Sequence, residues 1–259
     1  MKTYVITLIC LLSALISHMV SANAPANHGL NLMCKVSDNH IPPAPNGPIW
    51  LDLIITNDAS TSFSGQYSSI VDAGVVATTC PVTASLLQKA SYRTVEDVSA
   101  VPFTIDPGKT KVFPVLLNDL IPPVKVGSLS GSVVLPLFDE ATHQDVRFVL
   151  VTPLKVQVGE PLTPNQLTAV SAQILTSVKS YNFGTRYDAV RSLGPLPEAY
   201  AVQVLVQAIK ERQSSPWVGD LLDALGRRPR TPASTKALTD IAQSDNPELS
   251  ALAAGYLKK

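Results

Sequence analysis

Asp139, Glu140, His143 and Asp145 fall within seven consecutive residues, a density of oxygen and nitrogen donors that could hold a divalent cation. The segment has no glycine to make the sharp turn of a calcium loop, so it reads as a solvated hairpin tip and no metal is assigned. His28 and His40 have no acidic or cysteine partner at useful spacing. A hydrolytic site would have to recruit His143, and no serine or cysteine stands out as its nucleophile. Gly108-Lys109-Thr110 resembles the end of a phosphate-binding loop, but Phe103 occupies the position of the first glycine and a strand-like run follows. In Gly127-Ser128-Leu129-Ser130-Gly131 a leucine stands where a nucleophile elbow needs serine. Arg227, Arg228 and Arg230 cluster at a turn between helices and are the candidate contact for an acidic protein partner or headgroup. No catalytic residue and no cofactor is expected.

The composition narrows the class. Of 259 residues, 46% are hydrophobic and 15% charged, the reverse of a disordered chain. Twenty basic and twenty acidic side chains leave no net field for a polyphosphate backbone, which argues against a nucleic-acid partner. The balance conceals an asymmetry: residues 23–160 hold 8 basic and 12 acidic side chains, residues 161–259 hold 11 and 8.

Met1-Lys2-Thr3 precedes an apolar run from Tyr4 to Val20 and the small residues Ser21-Ala22-Asn23-Ala24, the order of a secretory signal peptide. Pro25 would follow a cut after Ala24, so cleavage is expected after Ala22, leaving no stable membrane insertion. The expected location is periplasmic or extracellular. Cys34 and Cys80 are then the remaining cysteines, 46 residues apart, and a disulfide between them would contribute about 4 kcal/mol by the chain-entropy estimate.

These residues need elements to position them. From Leu30 to Val158 the apolar residues alternate, as in Ile49, Leu51, Leu53 and Ile55, and the spacing predicts strands near 30–36, 49–56, 69–77, 100–105, 111–117, 129–137, 146–150 and 154–158. Asp106-Pro107-Gly108 marks a turn, and Pro114, Pro136 and Pro153 are expected on edges or bulges, where a missing N–H is tolerated. Cys34, Trp50 and Cys80 resemble the immunoglobulin pattern in architecture only, because Thr78 stands where that family has its corner tyrosine.

After Pro161 the period becomes helical, with Leu167, Val170, Ile174 and Val178 on one stripe. Pro164, Pro197, Pro216, Pro232 and Pro247 mark helix starts, four of them after the capping residues Thr163, Ser215, Thr231 and Asn246. Gly194 and Gly226 are expected as C-terminal caps. Leu193, Leu225 and Leu257 recur at a step of 32 residues, as do Ala189, Leu221 and Ala253. Arg186-x-x-Ala189-Val190-x-x-Leu193-Gly194, echoed by Asp220-Leu221-Leu222-x-x-Leu225-Gly226, resembles the short HEAT-like repeats also found in phycobilin lyases. That resemblance implies a scaffolding surface and carries over no catalytic residue. Tyr181, Phe183 and Tyr187 read as residues packed between the helices and the strands.

The expected organisation is a signal peptide (1–22), an all-β immunoglobulin-like antiparallel sandwich (23–160) and an all-α HEAT-like solenoid (161–259). The expected role is a non-catalytic binding or scaffold protein of the cell envelope acting on a protein partner. The alternatives are an accessory subunit of a surface appendage or secretion assembly using an edge strand, and a hydrolase with a dispersed site near His143.

Overall fold

The computed structural model describes residues 29–38, 41–67, 74–77, 101–120, 124–139 and 147–258. Antiparallel sheets occupy the N-terminal part and helices the C-terminal part. The strands are β1 (Leu30–Val36), β2 (Trp50–Asn57), β3 (Phe63–Tyr67), β4 (Gly74–Ala77), β5 (Val101–Ile105), β6 (Thr110–Leu116), β7 (Gly127–Asp139) and β8 (Arg147–Val158). The helices are α1 (Leu117–Leu120), α2 (Pro164–Val178), α3 (Phe183–Ser192), α4 (Glu198–Glu211), α5 (Val218–Gly226), α6 (Pro232–Ala242) and α7 (Pro247–Leu257). No described helix is long and apolar enough to cross a membrane.

The chain forms two compact units, neither contiguous in sequence. One comprises residues up to 35, 52–115 and 129–155; the other comprises 36–51, 116–128 and 156–259. Segments 36–51 and 116–128, which lie within the strand-rich sequence, therefore belong with the helices.

In the first unit, strands run in the order β1-β2-β6 in one sheet and β4-β7-β3-β5 in the other, with β8 also paired to β7. The alternation of β2 is realised fully, since Leu51, Leu53 and Ile55 are buried while the residues between them are half-exposed. β3 pairs antiparallel with β5, Gly65 opposite Phe103, and β4 with β7, Val75 opposite Val133. Phe103 packs on Phe63 within its sheet and edge-on against Phe113 of β6, with ring centroids 5.8 and 5.1 Å apart. Asn57 is buried at the end of β2, and its amide donates to the carbonyls of Thr61 and Ile105 at 2.9 and 2.8 Å, so its burial leaves no unpaired donor. Asp106-Pro107-Gly108 makes the expected turn: Lys109 N donates to the Asp106 carbonyl at 3.0 Å, and Gly108 takes a φ of +67° that other residues resist. Pro114 lies in β6, the last strand of its sheet, where the missing donor costs no ladder bond. The two strands expected over 146–158 are one continuous strand, β8, with Pro153 exposed inside it. β3 was not foreseen, because Phe63-Ser64-Gly65-Gln66-Tyr67 is short and a glycine takes the middle position of its apolar face.

In the second unit, α2 packs on α3, α4 on α5 and α6 on α7; α2 also contacts α4, α4 contacts α6, and α5 contacts α7. Thr163 caps α2 through a reciprocal pair, its Oγ1 accepting from Gln166 N while Gln166 Oε1 accepts from Thr163 N at 2.9 Å. Thr231 and Ser234 repeat this device on α6, and Asn246 Oδ1 accepts from Glu248 N and Leu249 N on α7. One expected cap is corrected, and one proline start is refined. Ser215 does not cap α5, whose cap position is Trp217 without a side-chain bond, and Pro197 is itself the cap residue of α4. α3, which has no proline start, is capped by Asn182 Oδ1 accepting from Thr185 N at 2.9 Å.

Gly226 is also corrected: it is the last residue of α5, without positive φ, and the ring of Tyr256 lies against its bare Cα. Segment 41–49 is fastened to the start of α2. Asn46 Oδ1 accepts from Leu162 N at 2.6 Å, its amide donates to the Leu162 carbonyl at 3.2 Å, and Gly159 N donates to the Pro43 carbonyl at 2.9 Å. Ile41 and Ala44 thereby join Leu167, Val170, Ile174, Leu193, Leu205, Leu221, Leu225 and Leu238 in one apolar core.

Candidate functional site

α3 has two faces. Arg186, Ala189 and Ser192 turn inward and are buried, followed by Leu193, whereas Phe183 and Tyr187, one turn apart, point outward with their rings stacked at 5.9 Å. Tyr181, Phe183 and Tyr187 are 77, 68 and 51% exposed, which corrects the expectation that they pack inward.

Arginines support these rings from beneath. The Arg186 guanidinium lies 4.5 Å from the Trp217 centroid and 5.6 Å from that of Phe183, and its Nη1 donates to the Ser180 carbonyl at 3.1 Å. Aromatic faces and a carbonyl offset the cost of burying a guanidinium, because its planar, weakly hydrated charge stacks well. Arg191 lies 5.7 Å from the Tyr187 centroid and 5.5 Å from that of Trp50, while its Nε and Nη2 donate to Asp119 Oδ2 at 3.0 and 2.5 Å. Trp50 Nε1 donates to Ser192 Oγ at 3.0 Å, and Ser192 Oγ donates to the Asp188 carbonyl at 2.8 Å. Trp217, Arg186, Phe183, Tyr187, Arg191 and Trp50 thus form one continuous series of stacked rings and guanidiniums, with Phe183 directly on Tyr187. Alongside it, Arg212 stacks on Tyr181 at 5.1 Å and donates to the Lys179 carbonyl at 3.2 Å.

A groove of about 390 Å³ runs between this ridge and α5, with Phe183, Tyr187 and Val190 on one side and Asp220, Ala224 and Arg227 on the other. Val190, Ala224 and Arg227 also border a second depression of about 470 Å³, which continues past Glu198 to Arg228 and Pro229. Burial pushes the Asp188 carboxyl above its ordinary value, and the Arg191 charge only partly opposes this. The carboxylate of Asp223 holds the Arg227 guanidinium above its already high value through a direct 2.6 Å pair.

The expected arginine cluster divides in this setting. Arg228 is largely enclosed, pairing with Glu198 at 2.8 Å and donating to the Leu193 carbonyl at 3.3 Å, so it ties helices together. Arg230 donates to the Tyr256 carbonyl at 2.5 Å and closes the C-terminal end of α7, where a cation is favourable. Arg227 is exposed and borders the groove.

The remaining candidates fall elsewhere. Glu140, His143 and Asp145 lie outside the described residues, as do His28, His40, Cys80 and the segment 1–22. Among the described residues no three His, Cys, Asp or Glu side chains form a metal-holding group. Cys34 is half-buried in β1; burial, then the Asp52 charge, pushes its thiol up to about 11. The pairing with Cys80 lies outside the described residues.

No family model and no curated protein matches the chain.

Proposed function

We propose that the protein is exported by its first 22 residues and acts in the cell envelope as a non-catalytic binding or scaffold protein that holds a protein partner. The observation that carries this reading is the exposed, stacked pair Phe183 and Tyr187 over Arg186 and Arg191. Large rings held rigid before binding lose little entropy on contact, and aromatic and arginine side chains dominate protein interfaces. On this reading the two sheets form an immunoglobulin-like sandwich, supported by the contact of Phe103 with Phe113 across them. The helices form a short HEAT-like solenoid. Supporting this, the positions that recur every 32 residues fall on α3, α5 and α7, and α5 contacts α7. Recognition through a sheet edge is the second reading: β1, β5 and β6 carry Lys35, Pro102 and Pro114, which blunt their edges, whereas β4, at the end of its sheet, carries neither charge nor proline.

The test is photo-crosslinking in the native envelope with a benzophenone side chain in place of Tyr187. A discrete adduct at 187, absent when the probe replaces exposed Val112 of β6, is the expected result. Equal labelling at the two positions would overturn the reading.

A further inference from the structure

The helical stretch 161–258 carries eight acidic side chains, and five of them are paired within it. Asp188 meets Arg191 at 3.7 Å, Glu198 meets Arg228 at 2.8 Å and Glu211 meets Lys179 at 2.6 Å. Asp223 meets Arg227 at 2.6 Å and Asp240 meets Lys236 at 2.9 Å. The other three, Asp220, Asp245 and Glu248, are exposed, and their carboxylates have no partner among the described residues.

These three carboxylates are gathered, not scattered: all border two depressions that flank the first turn of α5. Asp220 stands on the α5 wall of the groove that faces Phe183 and Tyr187. Asp245 and Glu248, at the start of α7, border a further depression of about 700 Å³ whose α5 wall is Val218 and Gly219. Leu252, 48% exposed, lies on that wall with them. Each depression therefore sets exposed apolar surface beside a carboxylate that nothing in the unit neutralises. The basic side chains on these walls are Arg186, buried beneath the rings, and Arg227, bound to Asp223.

Composition does not account for this acidic face, since residues 161–259 hold more basic than acidic side chains. The helix dipole favours Asp220 and Glu248 in first turns, but it does not explain why they stay unpaired beside apolar walls. The unpaired carboxylates fix the sign of what can dock. A neutral or acidic segment would strip water from them without return, whereas a lysine or arginine converts that cost into attraction. This reverses the acidic partner expected from the arginine turn, where Arg228 and Arg230 are bonded inside the molecule.

We infer that the two depressions flanking the first turn of α5 form one docking surface for a basic protein segment. Its apolar side chains lie against Phe183, Tyr187 and Leu252, and its lysines or arginines face Asp220, Asp245 and Glu248. This rests on reading the aromatic face as a protein-docking surface, and it supplies the charge of the partner.

The probe is a fluorescein-labelled decapeptide of lysine and glycine around one central phenylalanine, titrated with the full exported chain and read by anisotropy. A second peptide carries glutamate in place of lysine. The lysine peptide binds in the micromolar range and weakens as salt rises, whereas the glutamate peptide does not bind. Asp220→Asn, Asp245→Asn and Glu248→Gln each weaken binding about twofold to fivefold, and together about tenfold or more. Asp240→Asn changes the net charge equally but lies off both depressions, and it leaves binding unchanged. Gly219→Leu gives a readout without any charge change. A Cβ there meets nothing within 4 Å, so leucine fills the depression and weakens binding, while its better helix propensity keeps the melting temperature from falling. Equal binding of the two peptides, or a triple neutralisation that leaves the affinity unchanged, overturns the inference. The envelope crosslink at position 187 separates it from the reading beneath. A basic crosslinked segment supports it, an acidic or uncharged one overturns the charge assignment while leaving the docking face intact, and absence of any adduct sinks both.

Discussion

Replacing Gly226 with alanine should destabilise the helical unit, although alanine is normally the better helix former by about 1 kcal/mol. A Cβ at 226 would fall within 2.6 Å of the Cγ, Cδ1 and Cδ2 atoms of Tyr256, a ring face rather than the free end of a side chain. The ring cannot simply lean away, since its hydroxyl donates to Asp223 and the Tyr256 carbonyl accepts from Arg230. Overpacking of this sort costs about 1–3 kcal/mol, and helix propensity returns about 1, so a net loss of up to about 2 kcal/mol is expected. The assay is urea unfolding followed by tryptophan fluorescence. Trp217 lies in the unit that contains the helices, and Trp50, although the first residue of β2, belongs to the same unit and bonds Ser192 of α3, so both tryptophans sense that unit. A double-mutant cycle isolates the cause. In a Tyr256→Ala background the ring is gone, and Gly226→Ala should become neutral or stabilising by up to about 1 kcal/mol. A destabilisation of equal size in both backgrounds would refute the ring-contact argument, as would a wild-type background that gains stability.

Three further outcomes follow from the same structure. Leu225→Asp puts a carboxylate at a fully buried core position and should abolish the tryptophan-monitored transition, while a melt matching wild type would remove Leu225 from the core. Asp188 has a raised folded-state pKa, so the native state holds its proton more tightly than the unfolded state; stability falls as pH rises from the unfolded value through the folded one, and Asp188→Asn should be the more stable protein at neutral pH, with a parallel wild-type slope counting against this. For Cys34, intact mass after alkylation in denaturant should show no labelled thiol if the bond to Cys80 forms; if it is reduced, a thiol pushed up to about 11 reacts slowly in the native protein at neutral pH and quickly once unfolded, so equal native and unfolded rates would contradict its burial.

Much of the element pattern was readable before the fold because local rules set it. β2 buries every second residue, as its alternation implies, and Thr163, Thr231 and Asn246 cap helices as their position before proline implies. What could not be read is long-range. Nothing local distinguishes segment 41–49 from any other proline-rich loop, yet Asn46 bonds both backbone groups of Leu162, 116 residues away. Gly226 shows the same limit from another side: a glycine closing a helix reads as a cap, and only the position of Tyr256 in space reveals a ring contact instead.

The exposed aromatic face was hidden by a rule that usually holds. Large rings near helix starts are commonly core residues, so Tyr181, Phe183 and Tyr187 read as packing. Their spacing carried a contrary signal, because Ala189 and Leu193 fix the inward face of α3 and leave Phe183, Tyr187 and Val190 on another. Arg186 adds to it. A core face that includes arginine needs partners for a guanidinium, and the rings available within one turn or one helix pair are Phe183 and Trp217. Burying Arg186 therefore fixes Phe183 at the surface. Substituting methionine there would keep the volume but remove the charge beneath the ring, so on the proposed binding role it should lower the yield of the position-187 crosslink more than it lowers the melting temperature.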